Sequence, residues 1–207
     1  MTRDSHRADA VILQESSGFH AMCKKLLGEN VAVLEQTIQL LDPRQVSRAV
    51  DLLRRSRRVV CMGQGSSMVL SEEAWTLFST VSPKFLFVPD SHLQMNTLAL
   101  MDPDELVLFF SYSGSTRDFQ DLLEVARQRQ VKVVLVSRFP KSPGGQLADV
   151  VLQCGADEGP LQAGSVNARM AQLFVLDVLF QEFCMRAPEE TEQSREQIAE
   201  AVARKHL

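Results

Sequence analysis

The stretch Leu106-Val107-Leu108-Phe109-Phe110-Ser111-Tyr112-Ser113-Gly114-Ser115-Thr116 decides the fold. Five apolar residues run without alternation, which suits a strand buried on both faces of a sheet. Three serines, a tyrosine and one glycine follow. Residues 116–128 then place Phe119, Leu122, Leu123, Val125 and Ala126 at helical spacing. An apolar strand that passes through a short polar loop into a helix is the repeating unit of a parallel α/β sheet.

The unit recurs on both sides. Upstream, Val59-Val60-Cys61-Met62 runs into Gly63-Gln64-Gly65-Ser66-Ser67 and a helix over residues 68–78. Phe85-Leu86-Phe87-Val88 follows, then Asp90-Ser91-His92-Leu93-Gln94 and a short helix over residues 92–100. Downstream, residues 131–136 and Val150-Val151-Leu152 are the fourth and fifth strands, with Ser142-Pro143-Gly144-Gly145 as a loop between them. A long apolar helix covers residues 165–185, Pro188 breaks it, and residues 189–205 read as a charged helical tail. At the front, residues 1–20 are polar and mixed, a frayed start. A helix spans residues 21–41, and a second opens at Asp42-Pro43, with Asp42 as N-cap and Pro43 in the first turn. The expected fold is α/β: a doubly wound five-stranded parallel sheet in the flavodoxin-like order 2-1-3-4-5, flanked by helices. Three regions are expected: an N-terminal helical arm over residues 1–56, the sheet domain over 57–186, and the tail over 187–207.

Composition limits the function. The 207 residues are 45% hydrophobic and 23% charged, ordinary for a folded domain. A net charge of −4 lacks the basic excess of a nucleic-acid binder. Arg54, Arg55, Arg57 and Arg58 cluster at the end of the second helix, where cations complement the helix dipole. Cys23, Cys61, Cys154 and Cys184 are too widely spaced for a CxxC metal signature, so small apolar residues in a reducing compartment are expected. The start is too polar for a signal peptide, and no apolar run approaches the length of a membrane span. A cytoplasmic protein without cofactor or metal is the expectation.

The chemistry lies in the loops. Gly65, Ser66 and Ser67 follow the first strand; Ser111, Tyr112, Ser113, Gly114, Ser115 and Thr116 follow the third. Glycine lets the backbone approach a ligand, the hydroxyls donate, and the next helix supplies free N–H groups and a positive dipole end. Such a loop suits a phosphate. In the order 2-1-3-4-5 both loops meet at the switch point of the sheet. A third segment also lies on the carboxyl edge. There His92 is either a ligand or acid–base group, or an exposed first-turn residue behind an Asp90 or Ser91 cap. Glu72 and Glu73 face either a sugar or water. The Walker loop, the third glycine of the dinucleotide fingerprint and the G-x-S-x-G elbow are all missing.

GQGSS, DSHLQ, SYSGST with Phe119, SP followed by LADVVL, and the run Ala168-Arg169-Met170-Ala171-Gln172-Leu173 resemble a sugar isomerase (SIS) domain. More narrowly they resemble the effector domain of RpiR-family transcription regulators. The resemblance spans residues 59–183. It implies a phosphosugar ligand, with Ser67, Ser111, Ser113 and Thr116 at the phosphate and Tyr112 contributing backbone and ring. Gly65, Ser66, Gly114 and Ser115 complete the expected phosphate site, and Glu73, His92 and Gln94 are the expected sugar contacts. The chain departs from the RpiR pattern at Leu77-Phe78, where Lys-Phe is usual, and at Gly144-Gly145, where leucine and alanine are usual. Residues ahead of the core carry no helix-turn-helix pattern. The expected function is a non-catalytic phosphosugar sensor, the effector part of an RpiR-type regulator without its helix-turn-helix. It would form a homodimer or tetramer and bind no nucleic acid or membrane by itself. The alternative is a stand-alone SIS phosphosugar isomerase.

Overall fold

The apolar runs form one sheet in a computed structural model that describes residues 3–156 and 165–203, with side chains from residue 18 onward. Strands β1 (Val59–Gly63), β2 (Phe85–Phe87), β3 (Leu106–Phe110), β4 (Lys132–Ser137) and β5 (Val150–Gln153) pair in the order β2-β1-β3-β4-β5. Every pairing is parallel, so the expected topology is observed.

Side chains alternate across a strand, so each run feeds two cores. Val59, Cys61, Leu106, Leu108, Phe110, Val134 and Val136 face one side; Val60, Met62, Val107, Phe109, Val133 and Leu135 face the other. The first side is covered by α1 (Arg3–Leu40), α2 (Pro43–Arg55), α3 (Met68–Ser79) and α7 (Val166–Met185). The second is covered by α4 (Ser91–Ala99) and α5 (Arg117–Arg129). On the first side Phe78 stacks on Phe85 at 4.3 Å and meets Phe180 and Phe183 edge-on. On the second, Phe109 stacks on Phe119 at 4.1 Å. The helix after β1 and the helix after β3 therefore lie on opposite faces, and a crevice opens between the two strand ends.

Two elements differ from expectation, while the tail is helical as expected. The first helix starts at Arg3, not near residue 21. No proline interrupts residues 3–40, so the helix extends beyond the packed turns around Val33 and Thr37. The expected loop at Ser142 is a short helix, α6 (Pro143–Leu147), because Ser142 accepts the Gly145 amide at 3.1 Å and Pro143 opens the first turn. The tail forms α8 (Pro188–Ala203) and is anchored at its first turn. Arg54 pairs with Glu190 at 3.0 Å, and Thr191 is buried.

Three arginines of the cluster, Arg54, Arg57 and Arg58, are engaged in folding. Glu105 is 1% exposed at the start of β3 and pairs with Arg57 at 2.9 Å and Arg58 at 2.6 Å. Burial pulls the Glu105 carboxyl up, but hydrogen bonds from Arg58 and the Asp102 amide, with the charges of Arg58 and Arg57, hold it below the usual carboxylate range. Arg57 also reaches Asp102 and Asp104. Cys61, Cys154 and Cys184 are buried, whereas Cys23 is exposed on α1.

Candidate functional site

The two hydroxyl loops meet. A cavity of about 360 Å³ is lined by Gln64, Gly65, Ser66, Ser67, Phe109, Phe110, Ser111, Tyr112, Ser113 and Thr116. Its size suits a small ligand. Its floor is the apolar end of β3, and its rim is hydroxyls and backbone.

The helix caps explain where the hydroxyls point. Asp42, Asp90, Ser142 and Ser165 each accept a backbone N–H of the helix they precede. Ser67 before α3 and Thr116 before α5 do not, and neither does Gln64 before the turn Gly65–Ser67. All three line the cavity. A cap is worth about 1 kcal/mol to its helix. At Thr116, whose backbone is extended, its absence leaves the first turn of α5 without a side-chain cap, an arrangement that binds anions; Ser67 instead continues the turn Gly65–Ser67 into α3, with the Met68 amide donating to the Gly65 carbonyl.

The second loop is shaped from behind. Gly114 has φ +60°, and a Cβ there would lie 2.2 Å from Ser142 Oγ. The Gly144 amide donates to the Gly114 carbonyl at 2.9 Å. A Cβ on Gly144 would meet Phe119 at 2.3 Å, so the departure at that position is what the close packing of α6 requires. Ser111 Oγ accepts the Gly114 amide at 3.1 Å, and Ser113 Oγ accepts the Ser115 amide at 3.3 Å. Gly114 and Ser115 shape this turn and do not line the cavity.

The expected phosphate residues thus come together, apart from these two. Tyr112 lines the cavity, but its hydroxyl donates to the Ala156 carbonyl at 2.7 Å and its ring meets Phe139 edge-on. The expected sugar contacts do not gather there. Glu73 is exposed on α3 and His92 is exposed behind the Asp90 cap. Gln94 is fully buried, and its amide donates to the carbonyls of Gly63 at 3.1 Å and Val88 at 2.8 Å. It braces the end of β1 beneath the first loop. Gln64 was not expected at the site. Its Nε2 is buried without a partner, and the signal for it was its place between two glycines. Among the described residues, no lysine, arginine, carboxylate or imidazole lines the cavity.

Comparisons with known proteins agree with this architecture. An "Uncharacterized HTH-type transcriptional regulator YbbH" of Bacillus subtilis is 27% identical over 161 residues, 77% of this chain and 57% of its own. The "HTH-type transcriptional regulator RpiR" of Escherichia coli is 27% identical over 136 residues, 66% of this chain and 46% of its own. The chain thus spans about half the length of these relatives. The Vibrio vulnificus NanR protein, solved in complex with ManNAc-6P, matches with a TM-score of 0.83 and 25% identity over 94% of this chain and 72% of that one. Over residues 52–181, from the end of α2 into α7, the sequence fits the SIS domain model, and with well over half of its length so matched the chain belongs to the SIS domain family.

Proposed function

We propose that this chain is the phosphosugar-sensing part of an RpiR-type transcription regulator. The observation that carries the reading is the meeting of the two hydroxyl loops in one cavity. Ser67 and Thr116 precede two helices on opposite faces of the sheet, and both line one cavity without a side-chain bond to their own helices. A phosphate seated there takes hydroxyls and first-turn amides instead of cations, and two helix dipoles favour its charge. The apolar wall at Phe109 and Phe110 suits the face of a sugar ring. The NanR relative, solved with ManNAc-6P, adds a ligand of the expected class.

Sensing needs a ligand that binds two conformations unequally, and no chemistry. Isomerisation needs a base beside the carbonyl carbon and an acid at the ring oxygen. Glu72, Glu73 and His92 are exposed and outside the cavity lining, which favours sensing. A thermal-shift screen with hexose and amino-sugar phosphates tests the reading. Stabilisation by at least one, lost in Ser113→Ala, is expected; no stabilisation by any of them overturns it. Turnover of glucosamine 6-phosphate that disappears in Glu73→Ala or His92→Ala would replace the sensor with an isomerase.

A second copy of the chain is the proposed partner. The inner face of α7 is occupied within the chain, where Ala171, Val175, Leu176 and Leu179 are buried. On α1, by contrast, Phe19, Met22, Leu26, Leu27 and Val31 are exposed. A stripe of that kind marks an interaction surface. Sedimentation of the intact chain as a monomer at micromolar concentration would remove the dimer.

A further inference from the structure

The loop after β5 carries a backbone conformation that the cavity alone does not explain. Ala156 has φ +81°, a left-handed value that a residue with a Cβ rarely adopts, and it is 1% exposed. Strained backbone of this kind persists where its surroundings over-determine it. Three side chains from three elements do so here. The Tyr112 hydroxyl donates to the Ala156 carbonyl at 2.7 Å. Arg138 Nε donates to the same carbonyl at 3.0 Å. The Ala156 amide donates to Gln36 Oε1 of α1 at 2.9 Å. Next to it, the Gly155 amide donates to Thr37 Oγ1 at 3.0 Å, and Gly155 lies so close to α1 that a Cβ would sit 2.9 Å from the Val33 carbonyl.

Each contact has a direction. Tyr112 sits between Ser111 and Ser113, and its own carbonyl accepts the Arg138 amide and Ser137 Oγ, both at 3.0 Å. Moving the serine loop therefore moves the Tyr112 hydroxyl. Gln36 and Thr37 lie on the buried side of α1, the helix whose earlier turns present the exposed apolar stripe.

We infer that Ala156 is a joint coupling the serine loop to α1, with Tyr112 and Gln36 as its two positioning residues. The ligand it would report rests on the function proposed above; the coupling belongs to the chain without ligand. Tyr112 acts through Ala156, which assigns its ring a role other than ligand contact. Because coupling free energy is reciprocal, whatever orders the loop steadies the end of α1, and a partner seated on α1 alters the loop.

Hydrogen exchange of the full chain, read by mass spectrometry, tests the joint in Gln36→Ala and Tyr112→Phe. Gln36→Ala should speed exchange at residues 111–116 about five-fold, and Tyr112→Phe should do the same at residues 33–40. Arg186→Ala, which removes a contact to Asp51 away from the joint, serves as the control and should leave both segments unchanged. Changes confined to residues 155–156 and the mutated element overturn the joint, and so does an equal effect from Arg186→Ala. If the cross-effects appear but no sugar phosphate alters exchange anywhere, the joint stands and the phosphosugar reading falls.

Discussion

Ser67 and Asp90 both precede helices, but only Asp90 bonds its own, through the Leu93 amide at 2.9 Å. The two should therefore respond oppositely to alanine. Asp90→Ala should lower stability by about 1 kcal/mol, the worth of a cap. Ser67→Ala should leave stability within about 0.5 kcal/mol, because its hydroxyl lines the cavity and makes no cap bond to α3. It should nevertheless weaken sugar-phosphate binding by about ten-fold or more, the loss of one hydrogen bond to a charged group. Urea titrations and calorimetric titrations check the pair. Gly114→Ala should both destabilise the fold and abolish binding, since φ +60° and the closeness of Ser142 leave no place for a Cβ. At this scale the gathering of Ser66, Ser67, Ser111 and Ser113 around one cavity was legible because residue type and position agreed. For Glu73 and His92 the sequence left exposure and ligand contact both open, and the burial of Gln94 was not legible, because the phase of a short helix is invisible without its first turn. Asp90 capping fixed that phase for α4, turning Gln94 inward and His92 outward.

The strands were legible as elements because a strand buried on both faces must be apolar throughout, and all five were found within a residue of either end. The start of α1 and the whole of α6 were not. Propagation of α1 toward Arg3 runs through residues whose mixed polar composition hides a helix, and two glycines masked the Ser142-Pro143 start signal of α6. Two predictions belong to this scale. Phe78→Ala should cost about 4 kcal/mol, because one ring in α3 holds β2 and α7 together. Glu105 ties β3 to the arginines before β1. Its folded-state pKa is lowered, so the stability it contributes is present above the usual carboxylate pKa of about 4.3 and is lost as pH falls through the folded value. Glu105→Gln should therefore be less stable than the parent at pH 7, with the gap closing under acid. A gap that persists unchanged into strong acid would show that the carboxylate charge is not what matters. Denaturant midpoints across pH measure it.

Over the whole molecule, the proposed phosphate site lies where two helices leave opposite faces of a parallel sheet, and the charge of a phosphate there would be met by amides and dipoles. Three of the four arginines noted at the end of α2 serve the fold instead: Arg54 meets Glu190, and Arg57 and Arg58 meet Glu105. The chain by itself should therefore show no nanomolar, sequence-specific DNA affinity at physiological salt; a gel shift with such affinity would contradict this assignment of charge. The most direct test of the central claim is calorimetric titration of the full chain with matched pairs of sugars. N-acetylmannosamine 6-phosphate, glucosamine 6-phosphate and a pentose phosphate would each be set beside its unphosphorylated form. At least one phosphorylated member should bind, its unphosphorylated partner should not, and Ser113→Ala should weaken the binding ten-fold or more. Equal binding of both members, or binding that ignores Ser113, would contradict a phosphate site in these loops.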